Sequence, residues 1–387
     1  MEIDNLLKIA IEKDASDLHL KVGNFPMVRV YGELAPLAGL EKLTSENVIK
    51  LADQLMTEHQ KAKLEKELDV DFAYSLPDFG RFRVNIYYQQ EHLSIVLRII
   101  PLEIKTIGQL LLPEILEKVS LEKRGLVLVT GTTGSGKTTT LASMIDHINA
   151  HRRENIITIE DPIEFIHRDK SSIITQREVG VDVKSYSSGL ISALREDPDI
   201  ILVGEMRRID TIETAILAAE TGHLVLSTLH TLDAPETVDR IVTVFPPHYQ
   251  KQIRLQLSSI LKAVISMRLI PRQDGKGRVP AVEVMVNTPY IQGCVREKER
   301  MPLIRDAIAA GVSQYGMQSF DQSIYALYKK EYISFEEGMR WSSSPENFKL
   351  RVMGIQSSAD VAKEDMEKKM GEYDRETKKI DPSKLEK

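Results

Sequence analysis

The chain has 387 residues, 42% hydrophobic and 28% charged, enough for two or three soluble globular domains at about 150 residues each. Its single cysteine excludes a disulfide framework and a cysteine-rich zinc site, and a reducing compartment is the simplest setting. The formal net charge of -6 argues against bulk nucleic-acid binding, though not against a local basic channel.

The amino terminus, MEIDNLLKIAIEKDASDLHL, carries acids in its first turns and lacks the basic region and apolar core of a secretory signal. Leu6, Leu7, Ile9, Ala10 and Ile11 instead give helical periodicity over Ile3 to Ile11. Short strands are predicted at Asp17 to Leu20, Met27 to Tyr31 and Glu33 to Leu37, broken by Gly23, Pro26 and Gly32. Ser45 is placed to cap a helix through Met56, and a second helix is expected from Glu58 to Leu68. Three β-rich runs follow at Val70 to Ser75, Gly80 to Gln89 and Leu93 to Ile100. In RFRVNIYY the strand period puts the arginines on one face. These features read as an α+β module over residues 1–100, followed by a linker over 101–113 bracketed by Pro101 and Pro113.

From Gly125 the pattern changes. LVLVT, IITI, IILVG and LVLSTLH are short β-branched runs separated by helical segments, the pattern of a parallel sheet covered on both faces. A helix-rich section spans about Pro246 to Arg340, interrupted by a strand pair at VISMRLI and RVPAVEVMV joined by QDGKGR. The second domain is expected to run over 114–356. Residues 357–387 are a mixed-charge run, expected to be a disordered tail or a frayed helix. No segment is long and apolar enough to span a bilayer, so the expected location is the cytoplasm.

The strongest motif is Gly131-Thr132-Thr133-Gly134-Ser135-Gly136-Lys137-Thr138, which fits G-x-x-x-x-G-K-[ST]. An apolar strand precedes it, and a helix-compatible run beginning with Thr138 and Thr139 follows. Glycines let backbone N–H groups turn inward onto phosphate oxygens, and a helix N-terminus adds partial positive charge. Lys137 is placed for the β- and γ-phosphates of ATP and the Thr138 hydroxyl for Mg²⁺. The ordinary alternative, a glycine-rich turn without a ligand, does not require the full spacing in this context.

Hydrolysis also needs a carboxylate to orient or deprotonate water. In Asp199-Ile-Ile-Leu-Val-Gly-Glu205 an apolar strand ends beside an acid, and ligands of open α/β sheets bind at the carboxyl ends of strands. Glu205 is therefore the candidate base, against a simple capping role. In Thr158-Ile-Glu160-Asp161-Pro162 the proline stops a strand and leaves two acids at the same edge. Glu160 and Asp161 are candidates to hold Mg²⁺ through water or to place the attacking water. His223 begins and His230 ends the strand of GHLVLSTLH. His230 is read as a γ-phosphate sensor, while His223 is as readily a packed histidine. Seven strand positions separate them by roughly 23 Å, which excludes shared metal ligation.

GTTGSGKT, TIEDPIEF, DPDIILVGEMR and TGHLVLSTLHT, with ASDLHL, GRFRVN and VLRIIP in the first hundred residues, resemble the type II/IV secretion ATPase superfamily. Within it the chain is similar to type IV pilus retraction ATPases of the PilT and PilU type. The resemblance implies an α/β fold: a RecA-like P-loop core with a PAS-like α+β amino-terminal domain. It implies an ATP-hydrolysing homo-hexamer driving pilus retraction and twitching motility from the cytoplasmic face of the inner membrane. There it would meet a membrane platform protein, with or without a paralogous ring alongside. It also implies that Arg81, Arg83 and Arg98 reach the nucleotide phosphates, with Arg195 and Arg207 near the site or at subunit contacts. Arginines suit that task because they neutralise developing charge; their ordinary alternative is surface ion pairing.

Assembly ATPases of the superfamily usually carry a zinc-binding tetracysteine element, for which this chain has only Cys294. Where the retraction family reads AIRNLIRE, this chain reads YIQGCVRE over Tyr290 to Glu297. That departure and the charged tail lean toward the PilU-like branch, an accessory motor dependent on a paralogue. Rival readings are a nucleotide-binding ring that does little work, which the set Lys137, Thr138, Glu160 and Glu205 opposes, and a secretion or DNA-uptake ATPase. The acidic balance and the lack of a dense basic stripe oppose direct nucleic-acid binding.

Overall fold

The computed structural model describes residues 2–30, 32–76, 79–100 and 103–355, with Met366, Lys369, Met370 and Tyr373. Two units follow from the chain's own contacts: Met1–Ile104 with Pro162–Ile166, and Lys105–Asp161 with His167–Lys387.

The first unit takes α1 (Ile3–Glu12), β1 (Asp17–Lys21), β2 (Met27–Val30), β3 (Glu33–Pro36), α2 (Ser45–Leu55), α3 (Glu58–Glu67), β4 (Asp69–Leu76), β5 (Gly80–Gln89) and β6 (His92–Ile100) in order. The strands form an antiparallel sheet in the order β3-β2-β1-β6-β5-β4. The elements match the sequence expectation closely, because period-two alternation is strong here. Phe82, Val84 and Ile86 of β5 are fully buried among Leu18, Leu20 and Leu97, with Leu6 and Leu7 of α1 and Leu51 of α2 in the same core. Thr44, not Ser45, caps α2: its hydroxyl accepts from the Asn47 N–H, and Asn47 reaches back to the Thr44 N–H. The reciprocal pair satisfies two otherwise orphaned donors.

The second unit contains α4 (Ile115–Ser120), β7 (Gly125–Thr130), α5 (Lys137–His151), β8 (Asn155–Glu160), β9 (Ile173–Glu178), α6 (Tyr186–Ala193), β10 (Ile200–Val203), α7 (Ile209–Glu220), β11 (Leu224–Leu229), α8 (Ala234–Thr243) and α9 (Pro247–Ile260). It continues with β12 (Leu261–Pro271), β13 (Arg278–Val286), α10 (Pro289–Arg296), α11 (Leu303–Ala310), α12 (Val312–Tyr315), α13 (Phe320–Lys329), α14 (Phe335–Trp341) and α15 (Pro345–Val352). The sheet order is β13-β12-β7-β11-β10-β8-β9. Every pairing from β12 to β9 is parallel, and β13 closes the edge antiparallel to β12. Strands β7, β10 and β11 are buried along their whole length, as sheets covered on both faces require. Their side chains alternate between two cores. Leu126, Leu128, Ile201 and Val225 pack on one face with α7, α8, α9 and α10; Val127, Val129, Leu202 and Leu226 pack on the other with α4 and α5.

Three expectations change. The linker expected over 101–113 is not free of the second unit, because Ile107 and Leu112 are buried in its core beside Leu116 and Val127; Pro101 and Leu102 lie outside the described residues. Edge strand β9 was missed in the sequence because its exposed, mixed run IITQRE pairs on one side only. Most of the expected tail, 357–387, lies outside the described residues. Of its residues that are described, Met366, Met370 and Tyr373 are helical, Met366 and Met370 are buried, and Tyr373 meets Tyr290 edge-on. Spacings of four and three residues make an apolar stripe that the surrounding charge conceals. Among the described residues no helix is long and apolar enough to cross a membrane.

Candidate active site

Strand register assembles the site. Because β7, β11, β10 and β8 run parallel as neighbours, their carboxyl ends share one edge of the sheet. That edge carries Gly131 to Thr138 after β7, His230 after β11, Glu205 after β10, and Glu160 with Asp161 at the end of β8. At about 4.8 Å per strand, Glu205 lies two strands and Glu160 three strands from the glycine-rich loop, roughly 10 and 14 Å.

The loop has the shape of a phosphate cradle. Gly131, Gly134 and Gly136 have φ of 142°, 76° and 97°. A Cβ at Gly131 would lie 2.5 Å from the Met267 carbonyl oxygen and from Ser135 Oγ. Only glycine fits there. Gly136 is the residue before α5, so the helix N-terminus opens into the loop. Lys137 Nζ donates to the carbonyls of Gly131 (2.9 Å) and Thr132 (3.0 Å), holding its charge over the loop. Thr132, Thr133 and Gly134 are exposed, and Thr138 and Thr139 are half-buried in the first turn of α5. Ser135 Oγ is buried with no hydrogen-bond partner.

Glu205 is held by its backbone neighbours. Gly204 N–H donates to the Ile159 carbonyl of β8 (2.8 Å), the Gly204 carbonyl accepts from Thr228 Oγ1 (2.7 Å), and Met206 N–H donates to the Thr228 carbonyl (3.1 Å). Thr228 thus aligns the ends of β10 and β11. Gly204 must be small, since a Cβ would lie 2.9 Å from the Tyr186 hydroxyl. Glu205 Oε2 is 3.3 Å from His230 Nε2, with both side chains partly open to solvent. Glu205 and Arg207 line two cavities, one of about 460 Å³ with His230, Glu236 and Arg240, and one of about 600 Å³ with Lys184, Arg208 and Asp210.

The remaining acids divide. Glu160 is 7% exposed, and its Oε1 accepts from Thr158 Oγ1 (2.6 Å) and Gln176 Nε2 (3.1 Å), whereas Asp161 beside it is exposed. His223 does not join the site. It stands at the amino end of β11, on the opposite edge of the sheet, where its Nδ1 lies 2.8 Å from the Ala218 carbonyl at the end of α7. Arg195 is exposed beyond the end of α6.

In the first unit, direct cross-strand neighbours form a row: Arg29, Asp17, Arg98 and Arg83 on β2, β1, β6 and β5. Arg81 is half-buried on the same face, two residues from Arg83. Arg98 Nε lies 3.0 Å and Arg29 Nε 3.8 Å from the Asp17 carboxylate, while Arg83 Nε is 3.9 Å from Asp71. Burial opposes ionisation of Asp17, but hydrogen bonds from Ser16 and Arg98 and the charge of Arg98 outweigh it and lower the carboxyl. Asp17 thus holds two cations of the row in place.

Sequence reading missed Glu283 on β13. It is 6% exposed and accepts from the Ala234 N–H at 3.0 Å. Burial pushes its carboxyl up to about 7, assisted by Asp233 and opposed by the Ala234 hydrogen bond and by Arg268 and Arg305. A lone acid inside the apolar run RVPAVEVMV was the available signal.

The chain matches the Type II/IV secretion system protein family over residues 1–323. It belongs to that family. It is 45% identical over 348 residues to the type IV pilus retraction ATPase PilT of Pseudomonas aeruginosa, covering 90% of this chain and 100% of that protein. It is 39% identical over 364 residues to the type IV pilus ATPase PilU of the same organism, covering 93% of this chain and 94% of PilU. The crystal structure of the pilus retraction motor PilT with bound ADP superposes with a TM-score of 0.83, at 45% identity, over 90% of this chain and 98% of that one. The fold is therefore that of this family: a mixed α/β chain with two sheets that matches the PilT ATPase structure, consistent with the expected RecA-like core.

Two outcomes test the site. Lys137→Ala is expected to abolish ATP turnover and Glu205→Gln to lower it by about 10²–10⁴-fold while nucleotide binding persists; steady-state turnover and titration with a fluorescent ADP analogue check both. Glu283 also sets a pH dependence. Its carboxyl titrates from an ordinary 4.5 when unfolded and near about 7 when folded, so between those values the folded chain holds a proton that the unfolded chain has released. That stability is full below pH 4.5 and is lost as pH rises through 7, by on the order of 3 kcal/mol. Urea midpoints at pH 5 and 7.5, followed by Trp341 fluorescence, should differ less in Glu283→Gln than in the wild type.

Proposed function

We propose that the protein is a motor that couples ATP hydrolysis to type IV pilus retraction, acting as a homo-hexamer in the cytoplasm at the base of the pilus. The observation that supports this most is the shared edge of Lys137, Glu205 and His230 in a chain that aligns with the entire length of a retraction ATPase.

In this reading the backbone N–H groups of Gly131 to Gly136 and the ammonium of Lys137 hold the phosphates of ATP. Glu205 takes the proton of the attacking water, and His230, in contact with it, senses the γ-phosphate. Mg²⁺ fits the Thr138 hydroxyl at the loop; Glu160 and Asp161, three strands along the same edge, would approach such an ion only by way of ordered water. Among the described residues no group of three His, Cys, Asp or Glu side chains forms a metal site. Bound there, Mg²⁺ supplies charge neutralisation on the phosphate oxygens. Arg81, Arg83 and Arg98 contribute positive charge toward the phosphates, and the partner at the membrane is a pilus platform protein.

A second reading is an accessory motor of the PilU kind that works beside a paralogous ring. The similarity to PilU, 39% over 364 residues, is compatible with it, beside 45% over 348 residues to PilT.

Deleting the gene is expected to raise surface pilus number and abolish retraction, with rescue by the wild-type gene and none by the Lys137→Ala variant. Normal retraction in the deletion, together with its loss on deleting a paralogue alone, would favour the accessory reading. Arg83→Ala is expected to depress turnover by about 10-fold or more with unchanged folding; wild-type kinetics in that variant would leave Arg83 a surface residue.

A further inference from the structure

Between His230 and α8 lie only three residues, and all three are stitched down. Thr231 Oγ1 is 2.7 Å from Thr237 Oγ1. Leu232 N–H donates to Glu236 Oε2 (2.9 Å). Asp233 caps α8 by accepting from the Glu236 N–H (2.9 Å), is paired with Arg305 (2.7 Å), and its carbonyl accepts from Thr237 Oγ1 (2.7 Å). The loop is therefore one body with the first turn of α8. That body is anchored to the sheet where the first N–H of α8, on Ala234, donates to Glu283 of β13.

Glu283 also ends a cross-strand row. It stands opposite Ser266 of β12, which stands opposite Thr130 of β7, which stands opposite Leu229 of β11. Thr130 Oγ1 donates to Ser266 Oγ at 2.9 Å. Thr130 is the last residue before the phosphate loop, and Leu229 is the last before His230. One line of residues thus underlies both loops, and Glu283 adds a second hold on the histidine loop from its far side.

The carboxyl satisfies the buried Ala234 N–H, a helix-terminal donor that would otherwise be orphaned. An amide or hydroxyl would serve that need without the cost of a buried ionisable group, and the bond it makes falls on the turn that carries His230. We propose that Glu283 is a positioning residue for ATP hydrolysis: by accepting from Ala234 it fixes the loop Thr231–Asp233, and so the place of His230 beside Glu205. This rests on the reading that Glu205 and His230 act on bound ATP. Asp233, Arg268 and Arg305 are the charged groups around Glu283, and the Arg305–Asp233 pair braces the same turn.

The test compares Glu283→Gln, which keeps an acceptor, with Glu283→Met, which keeps the length and removes it, in the full-length protein. Glu283→Met, which leaves the buried Ala234 N–H without its acceptor, is expected to fold with its Trp341 transition below the wild-type midpoint, to lose about 10–100-fold in kcat, and to bind ADP within about twofold of wild type. Glu283→Gln should stay within about threefold of wild-type kcat. Adding Glu283→Met to His230→Ala should cost nothing more. Wild-type kcat in folded Glu283→Met, or a full multiplicative loss in the double variant, overturns the proposal. If Glu283→Met does not fold, Glu283→Gln decides: near-normal kcat supports the acceptor role, and a folded variant below about a tenth of wild type overturns it. If His230→Ala alone turns over ATP normally, the reading of His230 fails. The hold on the loop is then judged by amide exchange at Ala234. Faster exchange in Glu283→Met but not in Glu283→Gln supports it, and unchanged exchange in both overturns it.

Discussion

Parallel pairing of fully buried strands is the constraint from which the site follows. Strands β7, β11, β10 and β8 have no solvent-facing side, so a register shift of one residue would exchange two packed cores. Leu126 and Leu128 belong to one core, and Val127 and Val129 to the other. With register fixed in this way, the residue following each strand has a set height on a common edge. Lys137, His230 and Glu205 share one edge of the sheet for that reason, although the chain separates Lys137 from His230 by 93 positions.

Small residues and hydroxyls refine what the strands set out. Gly131 and Gly204 are places where a backbone oxygen or a tyrosine hydroxyl comes within 3 Å of a Cβ position, so the loops can lie close to their neighbours. Thr228 ties β11 to the segment bearing Glu205, and Thr130 ties β7 to β12. Each of these hydrogen bonds is modest by itself. Their effect is to remove freedom from loops that would otherwise hold functional groups loosely. Glu160 shows the same principle at the far end of the site, with one carboxylate oxygen held by Thr158 and Gln176.

Much of this was legible from residue order. The Gly131 to Thr138 spacing, the acid after IILVG and the histidine after LVLSTL each sit at the end of an apolar β-branched run, and a parallel sheet leaves such ends on one edge. The first unit was legible for a different reason, since alternation in RFRVNIYY separates Phe82 and Val84 from Arg81 and Arg83. Less visible were features that depend on distant partners. Strand β9 is stabilised by β8, not by its own pattern. The stripe of Met366, Met370 and Tyr373 is hidden by intervening charges, and its meaning comes from Tyr290 on α10.

Local order alone determined that a phosphate-cradle loop forms at a strand-to-helix turn, because glycine spacing and helix start are short-range properties. It also determined which runs become strands, because burial on one or both faces leaves a periodic trace. Tertiary structure alone decided that His223 stands on the sheet edge opposite the glycine-rich loop while His230 meets Glu205, since strand direction and neighbour order set that choice. It likewise decided that Glu283 meets Ala234, forty-nine residues away. A hydrogen bond between distant segments leaves no periodicity in the chain; it exists only once the two cores have brought β13 and α8 together.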